Sequence, residues 1–162
     1  MELPLNDEQY PPLWGRVAVM GVTGKTDRRI ERDAIDLNAE RHLPIHKPQQ
    51  DGHLAPDTLM GVVKDIWYGD ESGLQVILFS GNWLDHTYSQ MDRVEPSILV
   101  TNLRQEAAQD EMTGREIQVI KYGIVRAVYI NPNPGPDTSM WPGLFIRNEK
   151  VPTGLRGGFF NG

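Results

Sequence analysis

The apolar residues of this chain come in short β-branched and aromatic runs separated by glycine and proline, and that rhythm limits what it can fold into. The 162 residues include 16 Gly and 12 Pro, above the usual combined share of about 12%, and these residues fall between the runs rather than inside long periodic stretches. Such punctuation belongs to a β-rich domain. Strands are expected at Arg16 to Val22, Met60 to Tyr68, Leu74 to Ser80, Ser97 to Leu103, Glu116 to Lys121 and Ile124 to Ile130. Val62, Lys64 and Ile66 alternate with Val63, Asp65 and Trp67, which suits burial on one face with some cover on the other. Tyr68-Gly69-Asp70-Glu71-Ser72-Gly73 reads as a hairpin loop in which glycine supplies positive φ.

Two segments carry helical spacing. Ile30, Ala34 and Leu37 recur at i, i+4, i+7 behind Asp27 as N-cap, with Glu31 in the first turn. Leu84, Tyr88 and Met91 do the same behind Asn82. The polar stretch from Arg104 to Gly114 reads as an exposed loop. The expected fold is therefore α+β: a β-rich, mostly antiparallel barrel or curled sheet with two or more flanking helices. Residues 1–14 read as an N-terminal arm, 15–137 as the β-rich domain, and 138–162 as an irregular tail; proline-rich tails of this kind often lie across a neighbouring subunit.

Composition removes several classes of function. A formal net charge of −6 argues against a nucleic-acid binder held by clustered Lys and Arg. With no cysteine there is no disulfide framework, thiolate zinc site, iron–sulfur cluster or cysteine nucleophile. No apolar run approaches the roughly 20 residues of a membrane-spanning helix, and Met1-Glu2-Leu3-Pro4 lacks the features of a signal peptide. An intracellular or virion-borne protein is expected.

Two motifs resemble known sites and fail on inspection. Gly24-Lys25-Thr26 matches the end of a P-loop, but the opening glycine would fall at Val19. His42 and His46 are spaced i, i+4 like two metal ligands on one helix face, but Pro44 lies between them. A loop site from His42, His46, Asp51 and His53 stays open on residue types alone.

The order of features from Arg28 onward resembles the prohead protease families of tailed phages, whose fold is related to the herpesvirus assemblin protease. The matching residues are Arg29-Ile30 with Ala34, Leu43-Pro44-Ile45-His46, Gly61-Val62-Val63, Gly73-Leu74-Gln75-Val76, Pro96-Ser97-Ile98-Leu99-Val100, and Ala127 to Pro134, over roughly residues 16 to 137. The resemblance implies a head-maturation serine endopeptidase with Ser97 as nucleophile and His46 as general base, without metal or cofactor. A serine hydroxyl needs such a base within hydrogen-bond reach, and donors aimed at the developing oxyanion. It implies cleavage of scaffolding protein and major capsid protein termini in the procapsid, within the host cytoplasm, with self-association and neither nucleic-acid nor membrane partners.

Two departures mark this chain. The last strand carries Arg126 about where family members hold a glutamate that orients the base, and arginine has no acceptor. Asp65, Asp92 and Glu95 are alternative acids, and His53 competes with His46 as base because the histidine spacing is shifted. A protease fold reused as a capsid cement or decoration protein is therefore the second reading, with Trp14, Trp141, Phe145, Phe159 and Phe160 as exposed anchors on a neighbour.

Overall fold

A computed structural model describes residues 5–48, 58–91, 94–131, 141 and 143–155 of the chain. The strand-forming runs within it pair as nine strands: β1 (Pro12–Val19), β2 (Arg28–Ile30), β3 (Ile35–Asp36), β4 (Pro44–His46), β5 (Leu59–Glu71), β6 (Leu74–Trp83), β7 (Glu95–Gln109), β8 (Glu116–Asn131) and β9 (Phe145–Arg147). The β5–β6 turn falls at the end of the expected loop Tyr68–Gly73, whose first four residues continue β5. Glu71 pairs with Leu74, so Ser72 and Gly73 form a two-residue turn with φ of 53° and 83°. Two positive φ values give the turn whose twist matches its flanking strands.

All nine strands lie in one open, mixed sheet. The long β8 is its spine. Along one edge it pairs antiparallel with β7. Along the other it takes β2, β3 and β4 in succession, all parallel. From β4 the sheet continues antiparallel through β5, β6 and β1 to β9. Leu13, Ile45, Met60, Ile66, Ile77, Phe79, Trp83, Val128 and Ile130 are almost wholly buried and form the heart of the core. Each such side chain stabilises by about 1.5–3 kcal/mol relative to exposure.

The expectation of an α+β fold flanked by two or more helices is overturned, whereas most of the strand pairing is antiparallel, the parallel contacts being the short ones of β2, β3 and β4 with β8. Among the described residues there is no α-helix; Tyr88–Gln90 forms a short 3-10 turn, and the sheet is an open one with no flanking helices among those residues. Asp27 and Asp33 both sit at positive φ, 57° and 62°, which excludes a continuous helix through them. Ile30 and Ala34 are still buried, but as the end of β2 and the turn that leads to β3. The edge of β8 supplies the backbone partners that a helix would have supplied internally. In the second segment Asn82 lies inside β6. Its side-chain amide donates to Asp7 Oδ1 (2.7 Å) and to the Tyr10 carbonyl (3.0 Å), so it caps nothing. Asp85 organises the next turn instead, accepting from the Thr87 amide and hydroxyl at 2.9 and 2.6 Å.

The stretch expected as an exposed loop, Arg104 to Gly114, is exposed but largely strand: β7 runs to Gln109 before turning at Asp110. Likewise the two runs after Glu116 are one strand. Gly123 permits this, since a Cβ there would lie 2.3 Å from Val100 Cγ1 on β7. Gly24-Lys25-Thr26 forms a tight turn closed by Gly24 N–H on the Arg28 carbonyl (2.8 Å). It leads into β2, not into the helix whose N-terminus a P-loop requires. Among the described residues no helix is long and apolar enough to cross a membrane.

Candidate functional site

His46 ends β4, held between β8 and β5: it pairs with Tyr129 on one side and Leu59 on the other. Ile45, the residue before it, points into the core with no exposure, so strand alternation turns His46 to the opposite face. The imidazole is nonetheless buried at 5% exposure, and its Nδ1 lies 2.7 Å from Oγ1 of Thr58, also buried. Burial pushes the His46 pKa below its usual 6.5, because a charged ring would lose its hydration. The ring is therefore neutral at neutral pH, with one nitrogen free of a proton.

Ser97 lies near the start of β7, half-buried, and pairs with the same Tyr129 from the other side of β8. Directly paired residues share a face of the sheet. Ser97, Tyr129 and His46 thus form a row across three strands, with Tyr129 in the middle. Two inter-strand spacings separate the Ser97 and His46 Cα atoms by roughly 10 Å. No hydrogen bond joins the two side chains in this structure. Ser97 also borders a groove of about 270 Å³ with Ile30, Ile35, Ile98, Leu103 and Trp141, an apolar surface beside a hydroxyl.

The candidate acids scatter. Arg126 is the extra residue of a bulge, because Leu99 pairs with Ala127 and Val100 with Val125. Its Nε donates to Thr101 Oγ1 at 2.7 Å. Asp65 faces Ser80 across β5 and β6 and borders a separate pocket with Asp7, Lys64 and Lys150. Glu95 pairs with Asn131, one step along the row face from Ser97. Asp92 and the competing base His53 lie outside the described residues. Among the described residues no carboxylate bonds His46; its recorded partner is a hydroxyl.

The i, i+4 histidine pair has no helix to share, since β4 is extended and His42 is exposed. Among the described residues no group of three or more His, Cys, Asp or Glu could hold a metal ion; Asp51 and His53 fall outside them. No family model, curated protein or solved structure matches the chain.

Of the aromatic residues expected on the surface, none of the described ones is exposed. Trp14 and Trp141 are buried; Trp141 Nε1 donates to the Val22 carbonyl at 2.9 Å. Phe145 is half-buried against Trp14, edge to face at 5.1 Å, with the guanidinium groups of Arg16 and Arg147 each 5.0 Å from its ring centre. These rings fasten β9 to β1. Phe159 and Phe160 lie outside the described residues. Sequence reasoning missed Thr58 and Tyr129, because only strand pairing sets them beside His46 and Ser97, and no local motif marks either one.

Proposed function

We propose that the chain is a head-maturation serine endopeptidase of the tailed-phage prohead type, acting on the termini of scaffolding and major capsid proteins inside an assembling procapsid. The observation that supports this reading is that β4 and β7 bring His46 and Ser97 to the same residue of β8. In the proposed reaction Ser97 Oγ attacks the scissile carbonyl carbon while a His46 ring nitrogen takes the hydroxyl proton. The same proton passes to the leaving amine as the C–N bond breaks. Water, deprotonated by His46, then releases the acyl group, and the proton returns to Ser97. The neutral, desolvated imidazole suits a base. The Ser97–His46 hydrogen bond would form on substrate binding, as catalytic hydrogen bonds often tighten only in the complex. The apolar groove beside Ser97 would receive substrate side chains.

A second reading, a non-catalytic cement or decoration protein of the phage head, is favoured by Tyr129 standing between the two residues, and by Arg126 where a base-orienting acid is expected. Co-expression with capsid and scaffolding proteins separates the two. Wild-type chain is expected to shorten those proteins by mass spectrometry, and Ser97→Ala to leave them full length. Unchanged masses in both, with the intact chain retained on mature heads at fixed stoichiometry, would establish the structural role instead.

A further inference from the structure

We infer that Thr58 is a positioning residue for His46: its hydroxyl oxygen accepts the Nδ1–H and so leaves Nε2 as the proton acceptor of the ring. The inference rests on the reading of His46 as general base. It starts from the 2.7 Å contact between Nδ1 and Oγ1, made by two side chains that are 5% and 4% exposed. A neutral imidazole carries one proton, and whichever nitrogen holds it donates while the other accepts. Were the hydroxyl to donate to Nδ1, the proton would sit on Nε2 and the ring could take none from Ser97 at that atom. With Nδ1–H donating to Thr58, Nε2 keeps its lone pair.

The backbone fixes the contact from a second direction. The Thr58 carbonyl accepts the Lys47 N–H at 2.9 Å, which ties Thr58 alongside the residue that follows His46. The hydroxyl therefore does for the ring's orientation what a carboxylate does in a Ser-His-acid triad, without adding a negative charge. This accounts for a base with no acid among its recorded partners. It also implies that the imidazolium formed during reaction is held less firmly than beside a carboxylate, so the acid limb of the pH–rate profile lies below the ordinary histidine value.

Three proteins decide it: wild type, Thr58→Val, which keeps the shape and removes the acceptor, and Thr58→Ser, which keeps the hydroxyl. Ring ¹⁵N chemical shifts of His46 report the tautomer whether or not the chain cleaves anything. The expected result is Nδ1–H in wild type and Thr58→Ser, and Nε2–H in Thr58→Val. In the processing assay Thr58→Val is expected to lose kcat on the order of 10²-fold or more, the scale of general-base catalysis, with KM unchanged and activity restored by Thr58→Ser. An Nε2–H ring in wild type overturns the inference. So does full cleavage by Thr58→Val in conditions where Ser97→Ala cleaves nothing. If Ser97→Ala cleaves as wild type does, the protease reading itself falls, and the catalytic role of Thr58 falls with it while the spectrum still reports the contact.

Discussion

At the scale of a residue, His46 joins a cost in stability to the base role proposed for it. Folding buries its ring and lowers its pKa below 6.5, so the unfolded chain binds the proton more readily than the native one. Where the unfolded state binds more protons, stability rises with pH. The contribution of His46 is thus complete above about pH 6.5, the unfolded value, and is lost as the pH falls toward the native one. Urea unfolding is expected to show lower stability at pH 5.5 than at pH 7.5, with a slope of at most about 1.4 kcal/mol per pH unit from this one proton. His46→Gln should flatten that slope, and an unchanged slope would show that the ring is not buried neutral. The two residues of the candidate site come from the Leu-Pro-Ile-His and Pro-Ser-Ile runs that carry the resemblance, and strand pairing sets both beside Tyr129. Thr58 and Tyr129 were not, because a period of two tells which face a strand residue occupies but not which strand lies beside it.

At the scale of an element, β3 shows why the first of the two segments with helical spacing became something else. It has only two residues, and Ile35 pairs with β8 on one side. On the other side a single phenol serves its backbone: Tyr68 OH donates to the Ile35 carbonyl at 2.6 Å and accepts the Ile35 N–H at 2.9 Å. Next to it Gln75 exchanges two hydrogen bonds with Asp33, at 2.8 and 2.7 Å, and holds the turn before β3. Side chains from β5 and β6 thereby replace the i→i−4 bonds of a helix. The strands around the Tyr68–Gly73 turn were readable from local alternation; β2 and β3 were not, since Ile30, Ala34 and Leu37 are apolar positions in either geometry and the deciding partner is over 80 residues away. Burial pushes the Tyr68 pKa up to about 12, more than the bond to Ile35 lowers it, so the hydroxyl stays protonated at neutral pH. Tyr68→Phe would leave a buried N–H and a buried carbonyl without that partner. It is expected to lower stability by about 1–3 kcal/mol, read as a reduced urea midpoint at constant m. A midpoint equal to wild type would show that water serves Ile35 equally well.

At the scale of the whole molecule, the sheet depends on β8 because, among the described residues, β2 and β3 have no other strand partner and β4 has one more, β5. Strands of two or three residues have no stability of their own, so the first third of the sheet forms only when the last long strand is in place. The pairing of β1 with β6 and β9 is likewise between distant parts of the chain. The β7–β8 hairpin is uneven along its length. On β8 Val125, Ala127, Val128 and Ile130 are wholly buried, whereas β7 from Asn102 to Gln109 is almost entirely exposed and leads into a turn that carries Met112, 91% exposed. Three register shifts interrupt the ladder between Leu99 and Gln105, and Asn102 sits at a φ of 57°. Bulges and exposed charges of this kind also discourage pairing with the edge of another sheet. Low burial and an interrupted ladder mark the distal arm as the less stable unit. Native-state hydrogen exchange is therefore expected to find two levels. Amides of Val125 to Ile130 should exchange only through global unfolding, with urea-dependent free energies equal to the stability of the protein. Amides of Glu106 to Gln109 should open at much lower free energy and with little urea dependence. Equal protection at both ends of β7 would mean that the arm opens only with the sheet, and that the bulges between Leu99 and Gln105 bend the hairpin without dividing it.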